Sequence, residues 1–227
     1  MSDHTKSIAE ALEILGDPTE WKMPDGYKNS LALCVMDSIW SIGIKYQTVV
    51  RVLDRYLEQR GFGGIRDAQK CADGPSEFLE WVMSLNAHEK AADEVSLRLK
   101  NGNKTSSADN AVLKSEAAIK ACQILQTMNV ESTFDLISRM DEVKPRWLYE
   151  VPGQRSGISW RYLLMLSGSP GVKPDRMVLR FLERIGVEAS EISAEDFVNL
   201  IVQKINLPHI NATAVDHRIW SVERRGK

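Results

Sequence analysis

Residues 151–186 read VPGQRSGISWRYLLMLSGSPGVKPDRMVLRFLERIG, and this stretch carries the features that decide the fold. A Pro-Gly turn precedes a strongly apolar helical segment over 159–166, and a second loop rich in proline and glycine ends at Pro174. Asp175 then stands where a helix N-cap is expected, and Gly186 stands where that helix should end. The stretch predicts two helices joined by rigid turns.

The same helical periodicity extends outward from this stretch. Residues 30–56 carry a long apolar pattern that Gly43 interrupts, which predicts two successive helices. Ser76 and Ser193 are the expected N-caps of two further helices, and Pro145 is expected to begin a short one. No segment has the period-two alternation of a strand, so about ten helices and an all-α fold are predicted.

Composition indicates a globular chain rather than a membrane or disulfide-rich one. The 227 residues are 43% hydrophobic and 26% charged, and no run approaches the roughly 20 apolar residues that a membrane span needs. The three cysteines, Cys34, Cys71 and Cys122, are far apart and form no CxxC pair, so neither a disulfide framework nor a metal site is supported. We expect no secretory signal, because the first fifteen residues lack a basic segment followed by a long apolar one. We expect a bacterial-type cytoplasmic or nucleoid-associated protein without membrane partner, metal or cofactor.

Charge is distributed unevenly along the chain. The net charge is −2, but residues 144–186 hold eight basic and three acidic side chains and are therefore +5, which leaves −7 elsewhere. Such asymmetry favours one basic face that contacts a polyanion, and an ordinary solvated helix surface is the alternative.

The helix over 174–186 resembles the aspartate-bearing helix of the endonuclease III-like, helix-hairpin-helix DNA glycosylases. The resemblance is carried by Asp175, Val178, Arg180, Arg184, Ile185 and Gly186. Residues 114–125 resemble the helix that precedes the hairpin in that family, and residues 31–56 resemble its N-terminal helix–turn–helix. With 200–226 as the closing helices, the resemblance spans about residues 28–226.

This resemblance implies an all-α, helix-hairpin-helix glycosylase-like fold in one domain, residues 1–227, made of two helical lobes with the site between them. Lobe one is expected over about 31–150, and lobe two over about 1–30 plus 151–227.

The resemblance also implies a set of site residues. Asp175 takes the place of the catalytic aspartate, which stabilises the sugar cation or activates water. The implied DNA-binding residues are Pro152, Gly153, Gln154, Arg155, Ser156, Gly157, Lys173 and Arg176, and the implied base pocket or wedge is Trp40, Ser41, Ile42 and His217.

Three departures narrow the activity that the resemblance implies. Ser156 or Gly157 stands where bifunctional members have a Schiff-base lysine, and no lysine occurs between Lys144 and Lys173. The four-cysteine iron–sulfur loop is absent, and Met177 replaces the usual histidine. A lysine-dependent lyase is therefore not expected.

Each of these residues also has a plain structural interpretation. Asp175 is a sufficient N-cap without any chemistry, and Trp40 fits the core of an apolar helix. Arg176, Arg180 and Arg184 fit a phosphate-binding stripe or a surface stripe equally well. His217 is typical of a surface or capping histidine.

Four functions remain open at this point. The first is a monofunctional DNA glycosylase that excises a damaged or modified base from double-stranded DNA. The second is a transferase acting on a modified thymine in DNA on the same scaffold. The third is a non-catalytic DNA-binding module, and the fourth is a helical scaffold with no role on DNA. The segment between Tyr56 and Lys114 is longer than the corresponding segment of the family that the chain resembles. This insertion could shape the pocket entrance or bind a partner, and the sequence does not indicate which protein would bind.

Overall fold

The computed structural model describes residues 4–22, 24–188 and 190–225, and within these ranges it is all-α. The first three and last two residues of the predicted 1–227 domain lie outside them. None of the described helices is long and apolar enough to cross a membrane. The helices are α1 Thr5–Leu15, α2 Leu31–Trp40, α3 Tyr46–Gln59, α4 Pro75–Ser84, α5 Ala91–Arg98, α6 Lys114–Thr127, α7 Thr133–Ser138, α8 Met140–Glu150, α9 Ile158–Leu166, α10 Arg176–Arg184, α11 Ala194–Ile205 and α12 Ala212–Arg225, with 3-10 turns at Pro18–Glu20, Ile65–Lys70 and His88–Lys90.

The chain divides into two compact units. The larger unit comprises residues 26–169, and the smaller comprises residues 1–25 and 170–227. The expected division fell at residues 31 and 151, whereas the structure keeps α9 with the larger unit. The reason is that α9 packs on α2, which lies at the centre of that unit.

Local capping signals are confirmed at two helices, since Asp175 caps α10 and Ser193 caps α11. The structure adds Ser30, which caps α2 by accepting the Leu33 amide at 3.2 Å. These caps form because a short polar side chain next to a helix start reaches an amide that the helix leaves without a partner.

Two of the expected helix starts are wrong. Gly74 rather than Ser76 caps α4, with Pro75 at the first helical position, and the Ser76 hydroxyl instead donates to Glu131 Oε1 at 2.7 Å. Pro145 lies inside α8 rather than at its beginning. Buried Val143 and Trp147 anchor α8 on both sides of Pro145, and this packing outweighs the hydrogen bond that proline removes.

Helix α2 organises the larger unit because all ten of its residues are buried. It packs against α3, α4, α6 and α9, and a helix that is apolar on nearly every face must be enclosed in this way. Helix α2 also carries a buried carboxyl: Asp37 accepts hydrogen bonds from Tyr27 Oη at 3.0 Å and from Ser41 Oγ at 2.6 Å. The polar groups of α2 are thus satisfied internally rather than by water.

The C-terminal end of α2 is closed by a buried lysine. Lys114, at the first position of α6, is 2% exposed, and its ammonium donates to the carbonyls of Trp40 at 2.9 Å and Ile42 at 2.6 Å. Terminal carbonyls of a helix have no partner within the helix, so this side chain replaces the water that burial excludes.

We expect Lys114→Met to lower the free energy of unfolding by about 2 kcal/mol, because two enclosed carbonyls lose charge-assisted hydrogen bonds. Urea unfolding of the full chain measures this difference. Lys120→Met is the matched control, since Lys120 is exposed on the same helix, and it should change stability little. Equal effects of the two substitutions would contradict the capping role.

Candidate functional site

Helices α8 and α9 form a helix pair joined by the turn at residues 151–157. Trp147 and Trp160 hold the pair together with ring centroids 6.0 Å apart, and Trp147 Nε1 donates to Ser159 Oγ at 3.1 Å. The turn itself depends on two glycines, because Gly153 and Gly157 have φ values of +75° and +76°. The Pro-Gly turn between helices that the sequence predicts is therefore present.

The turn exposes part of the predicted DNA-binding set. Gly153, Arg155 and Ser156 are exposed, whereas Gln154 is only 3% exposed. The side-chain amide of Gln154 donates to the Pro152 carbonyl at 2.9 Å, so this side chain faces inward. Gln154 therefore stabilises the turn rather than contacting DNA through its side chain. The backbone carbonyl of Gln154 accepts the Gly157 amide at 3.1 Å, which closes the loop ahead of α9.

The sequence did not predict an aromatic contact that lies next to this turn. The Arg155 guanidinium lies 5.5 Å from the centroid of the Tyr149 ring, and Tyr149 is 70% exposed at the end of α8. A guanidinium over an exposed ring forms a cation–π pair, which holds Arg155 against Tyr149. Spacing along α8 gave no signal for it, because the ring faces solvent and belongs to no apolar stripe.

The prediction that residues 40–42 form a base pocket or wedge is wrong for Trp40. Trp40 has no exposed surface, and its Nε1 donates to Asn101 Oδ1 at 3.0 Å. The indole is therefore a core group and is not available to stack on a base. Ser41 and Ile42 are half-buried, with the Ser41 hydroxyl bound to Asp37 and the Ile42 carbonyl bound to Lys114.

The insertion ahead of α6 connects the 40–42 turn with the hairpin turn. Residues 101–113 form a narrow loop closed by the Thr105 amide, which donates to the Val112 carbonyl at 2.9 Å. Asn101 holds one end of this loop to Trp40, and Thr105 lies against Gly153. A Cβ built on Gly153 would lie 2.5 Å from Thr105 Cβ, so the approach requires glycine.

In the smaller unit, Asp175 is the N-cap of α10. Its Oδ1 accepts the amides of Met177 at 2.8 Å and Val178 at 3.4 Å. Lys173 Nζ lies 3.9 Å from Asp175 Oδ2, and the Asp175 side chain is 27% exposed. The Asp175 side chain is thus held at the N-terminus of α10, and Arg176 beside it is exposed.

A second carboxyl, Asp216 on α12, contacts the loop that carries Asp175. It is 8% exposed and accepts the Lys173 amide at 2.9 Å. Burial raises the pKa of Asp216 to about 7, the charge of Asp175 adds to the rise, and the Lys173 amide opposes it. The sequence groups Asp216 with His217 and Trp220 in a polar–aromatic cluster, but it assigns a site role only to His217, because nothing local marks a carboxyl as buried.

His217 lies on a different face of α12 from Asp216. Its ring stacks on Trp220 at a centroid distance of 5.8 Å and an interplanar angle of 20°. Burial lowers the pKa of His217, which favours the neutral form of the ring. His217 and Trp220 thus form an aromatic pair three residues apart on one helix.

Part of the basic segment is neutralised by carboxylates. Arg146 makes two hydrogen bonds to Glu150, at 2.6 and 2.8 Å. Arg184 and Arg180 approach the buried Glu223 at 3.2 and 3.9 Å, and these contacts are ionic rather than well-formed hydrogen bonds. Arg180 and Arg184 therefore join α10 to α12, which favours the structural interpretation of the arginine stripe. Within the described ranges no cluster of three His, Cys, Asp or Glu side chains has the arrangement of a metal site.

Comparison with known protein families finds one match. The family described as Domain of unknown function (DUF8548) matches residues 6–224. The chain belongs to this family. No curated protein and no solved structure matches the chain.

The close approach of Thr105 to Gly153 predicts that a larger residue at position 153 will destabilise the hairpin. We expect Gly153→Ala to lower the free energy of unfolding by about 2–3 kcal/mol, because it combines a left-handed φ with a steric overlap. Gly43→Ala is the matched control: φ is +71° there and no neighbour lies within 4 Å, so about 1 kcal/mol is expected. Thermal unfolding of both variants measures the difference, and equal losses would show that Thr105 does not constrain the turn.

Proposed function

We propose that this chain is a DNA-binding protein of the helix-hairpin-helix type and a monofunctional DNA glycosylase that excises a damaged or modified base. In this proposal Asp175 stabilises the sugar cation or activates water. The resemblance of residues 174–186 to the endonuclease III-like glycosylases motivates the proposal, and the local geometry described above supports it.

The observation that carries the proposal is the placement of Asp175. Its carboxyl group is partly exposed and held at a helix N-terminus, with Oδ1 bound to two amides and Oδ2 3.9 Å from Lys173 Nζ. Cleavage of a glycosidic bond develops positive charge on the sugar, and a fixed carboxylate stabilises that charge without reorganising. The same amides also make Asp175 an N-cap, so the experiment must separate capping from chemistry.

The hairpin supports the DNA-binding part of the proposal. The exposed residues Gly153, Arg155 and Ser156 form the tip of a turn that ends at the N-terminus of α9. Helix N-termini and turn amides bind phosphate, and an arginine at the tip adds a charge-assisted contact. The absence of a lysine from the sequence of this turn favours water over a protein amine as the nucleophile.

Asp175→Asn tests the catalytic role. Asparagine is an equally good N-cap, so the fold and DNA binding should be retained, while base release should fall roughly 100-fold or more because the negative charge is lost. Mass spectrometry of bases released from genomic DNA and from duplexes with single modified bases measures this. Asp17→Asn is the matched control, since Asp17 is an exposed aspartate that caps the 3-10 turn at Pro18–Glu20.

The outcomes of this experiment are distinct. Base release by wild type and by Asp17→Asn but not by Asp175→Asn supports the glycosylase and identifies its substrate. Group addition to the DNA instead of release would favour a transferase. DNA binding by all three proteins without a chemical change would leave a non-catalytic DNA-binding module.

Arg155→Ala tests the hairpin as a phosphate contact. We expect DNA affinity to fall roughly fivefold and the slope of log K against log salt to decrease in magnitude by about 1, because one phosphate contact is lost. Fluorescence anisotropy over a salt series measures both. Arg146→Ala is the control, because the Arg146 guanidinium is already bound to Glu150, and it should leave the slope unchanged. An unchanged slope in Arg155→Ala would contradict the proposed contact.

A further inference from the structure

Two side chains of α12 hold the backbone of the loop that leads to Asp175. Thr213 Oγ1 accepts the Gly171 amide at 3.0 Å, and Asp216 Oδ1 accepts the Lys173 amide at 2.9 Å. This loop belongs to no helix or strand, so its backbone amides need side-chain partners where they are buried. Thr213 and Asp216 are three residues apart and therefore lie on one face of α12.

The contact at Asp216 continues directly to Asp175. The Asp175 amide donates back to the Lys173 carbonyl at 2.6 Å, and Pro174 between them restricts the chain further. A displacement of the Lys173 peptide therefore moves Asp175, so Asp216 sets the position of Asp175 through one intervening residue.

The hydrogen bond from the Lys173 amide does not explain why residue 216 is an aspartate rather than an asparagine. An asparagine would accept the Lys173 amide through the same oxygen and would carry no charge into a buried site. Instead, burial, with a smaller contribution from the charge of Asp175, raises the pKa of Asp216 to about 7. A buried acid beside another acid lowers stability at neutral pH, and such arrangements concentrate at functional sites.

The charged groups around Asp216 come from the loop and from neighbouring helices. The loop contributes Lys173, which lowers the pKa of Asp216, and Asp175, which raises it. The other charged contacts of α12 are used elsewhere: Arg218 donates to the Leu15 carbonyl of α1, and Glu223 pairs with Arg180 and Arg184 of α10. Of the two buried carboxyls of α12, Glu223 faces arginines and Asp216 faces the Asp175 loop.

We propose that Asp216 is the positioning residue for Asp175, holding the loop through the Lys173 amide and coupling its own ionisation to the charge on Asp175. The coupling is a property of these residues alone, whereas its consequence for base excision rests on the proposed function.

The primary test follows the Asp175 carboxyl carbon by NMR in the full chain, with Asp175→Asn used to assign the resonance. Between about pH 5 and about pH 9, wild type should show a change in this resonance near pH 7, and Asp216→Asn should not. Thr213→Val is the matched control, because it removes the other support of the loop without removing a charge, and it should keep the step. An Asp175 resonance that is flat through pH 7 in wild type, or a step that Thr213→Val also abolishes, would overturn the inference.

Amide exchange and stability provide two further readouts. The Lys173 amide should exchange at least roughly tenfold faster in Asp216→Ala than in wild type, and at the wild-type rate in Asp216→Asn, which keeps the acceptor. The folded-state pKa of Asp216, about 7, lies above its ordinary value of 3.8, so folding binds a proton over this range. The stability that this group contributes is full below about pH 4 and is lost as pH rises to about 7, so Asp216→Asn should gain stability over wild type across that window. Equal Lys173 exchange in wild type and Asp216→Ala, or no pH-dependent gain in Asp216→Asn, would overturn the inference.

Base release separates this inference from the proposed function. A pH 7 step in the Asp175 resonance without base release by wild type would support the positioning of Asp175 and count against the glycosylase. Base release whose pH profile is the same in wild type and Asp216→Asn would overturn the role of Asp216 in base excision while leaving the glycosylase in place.

Discussion

The enclosure of α2 is the constraint on which the larger unit depends. Because every residue of Leu31–Trp40 is buried, the carbonyls at the end of this helix cannot be solvated and must find a partner inside the protein. Lys114 supplies it, and this choice fixes the start of α6 against the 40–42 turn. The loop 101–113 is then held at Trp40 through Asn101, and it reaches the hairpin at Gly153. The hairpin tip is thus tied to the core through a chain of contacts rather than by its own turn alone.

In the smaller unit, side chains of a neighbouring helix bind backbone groups that have no partner in a helix. Its loop before α10 has no secondary structure of its own, and α12 supplies partners for its amides through Thr213 and Asp216. Further along α12, Glu223 binds two arginines of α10, so one helix face both holds α10 and supports the loop that begins it. The position of Asp175 is therefore fixed from two sides, by the α10 amides that it caps and by the loop that α12 holds.

The sequence was sufficient where the deciding physics is local. Asp175 and Ser193 are caps because a short polar side chain precedes an amphipathic run, and both were predicted from that pattern alone. It was insufficient where packing decides: Pro145 lies within α8 because Val143 and Trp147 anchor both of its sides, and Gln154 turns inward to its own loop. The role of Asp216 was not predictable, since a carboxyl acquires its character from burial and from neighbours more than forty positions away in the sequence.

Charge sets a limit on how this chain can engage a polyanion. The segment 144–186 is basic by count, yet Arg146, Arg180 and Arg184 are bound to carboxylates of the same chain. Arg155 and Arg176 remain exposed, and the chain as a whole is slightly negative. Long-range attraction to DNA is therefore weak, and binding of the proposed kind has to draw on short-range contacts such as turn amides, a helix N-terminus and an arginine held over Tyr149. Such contacts act only when the phosphate is already in place, so they favour a protein that recognises a particular backbone geometry over one that coats DNA through its charge.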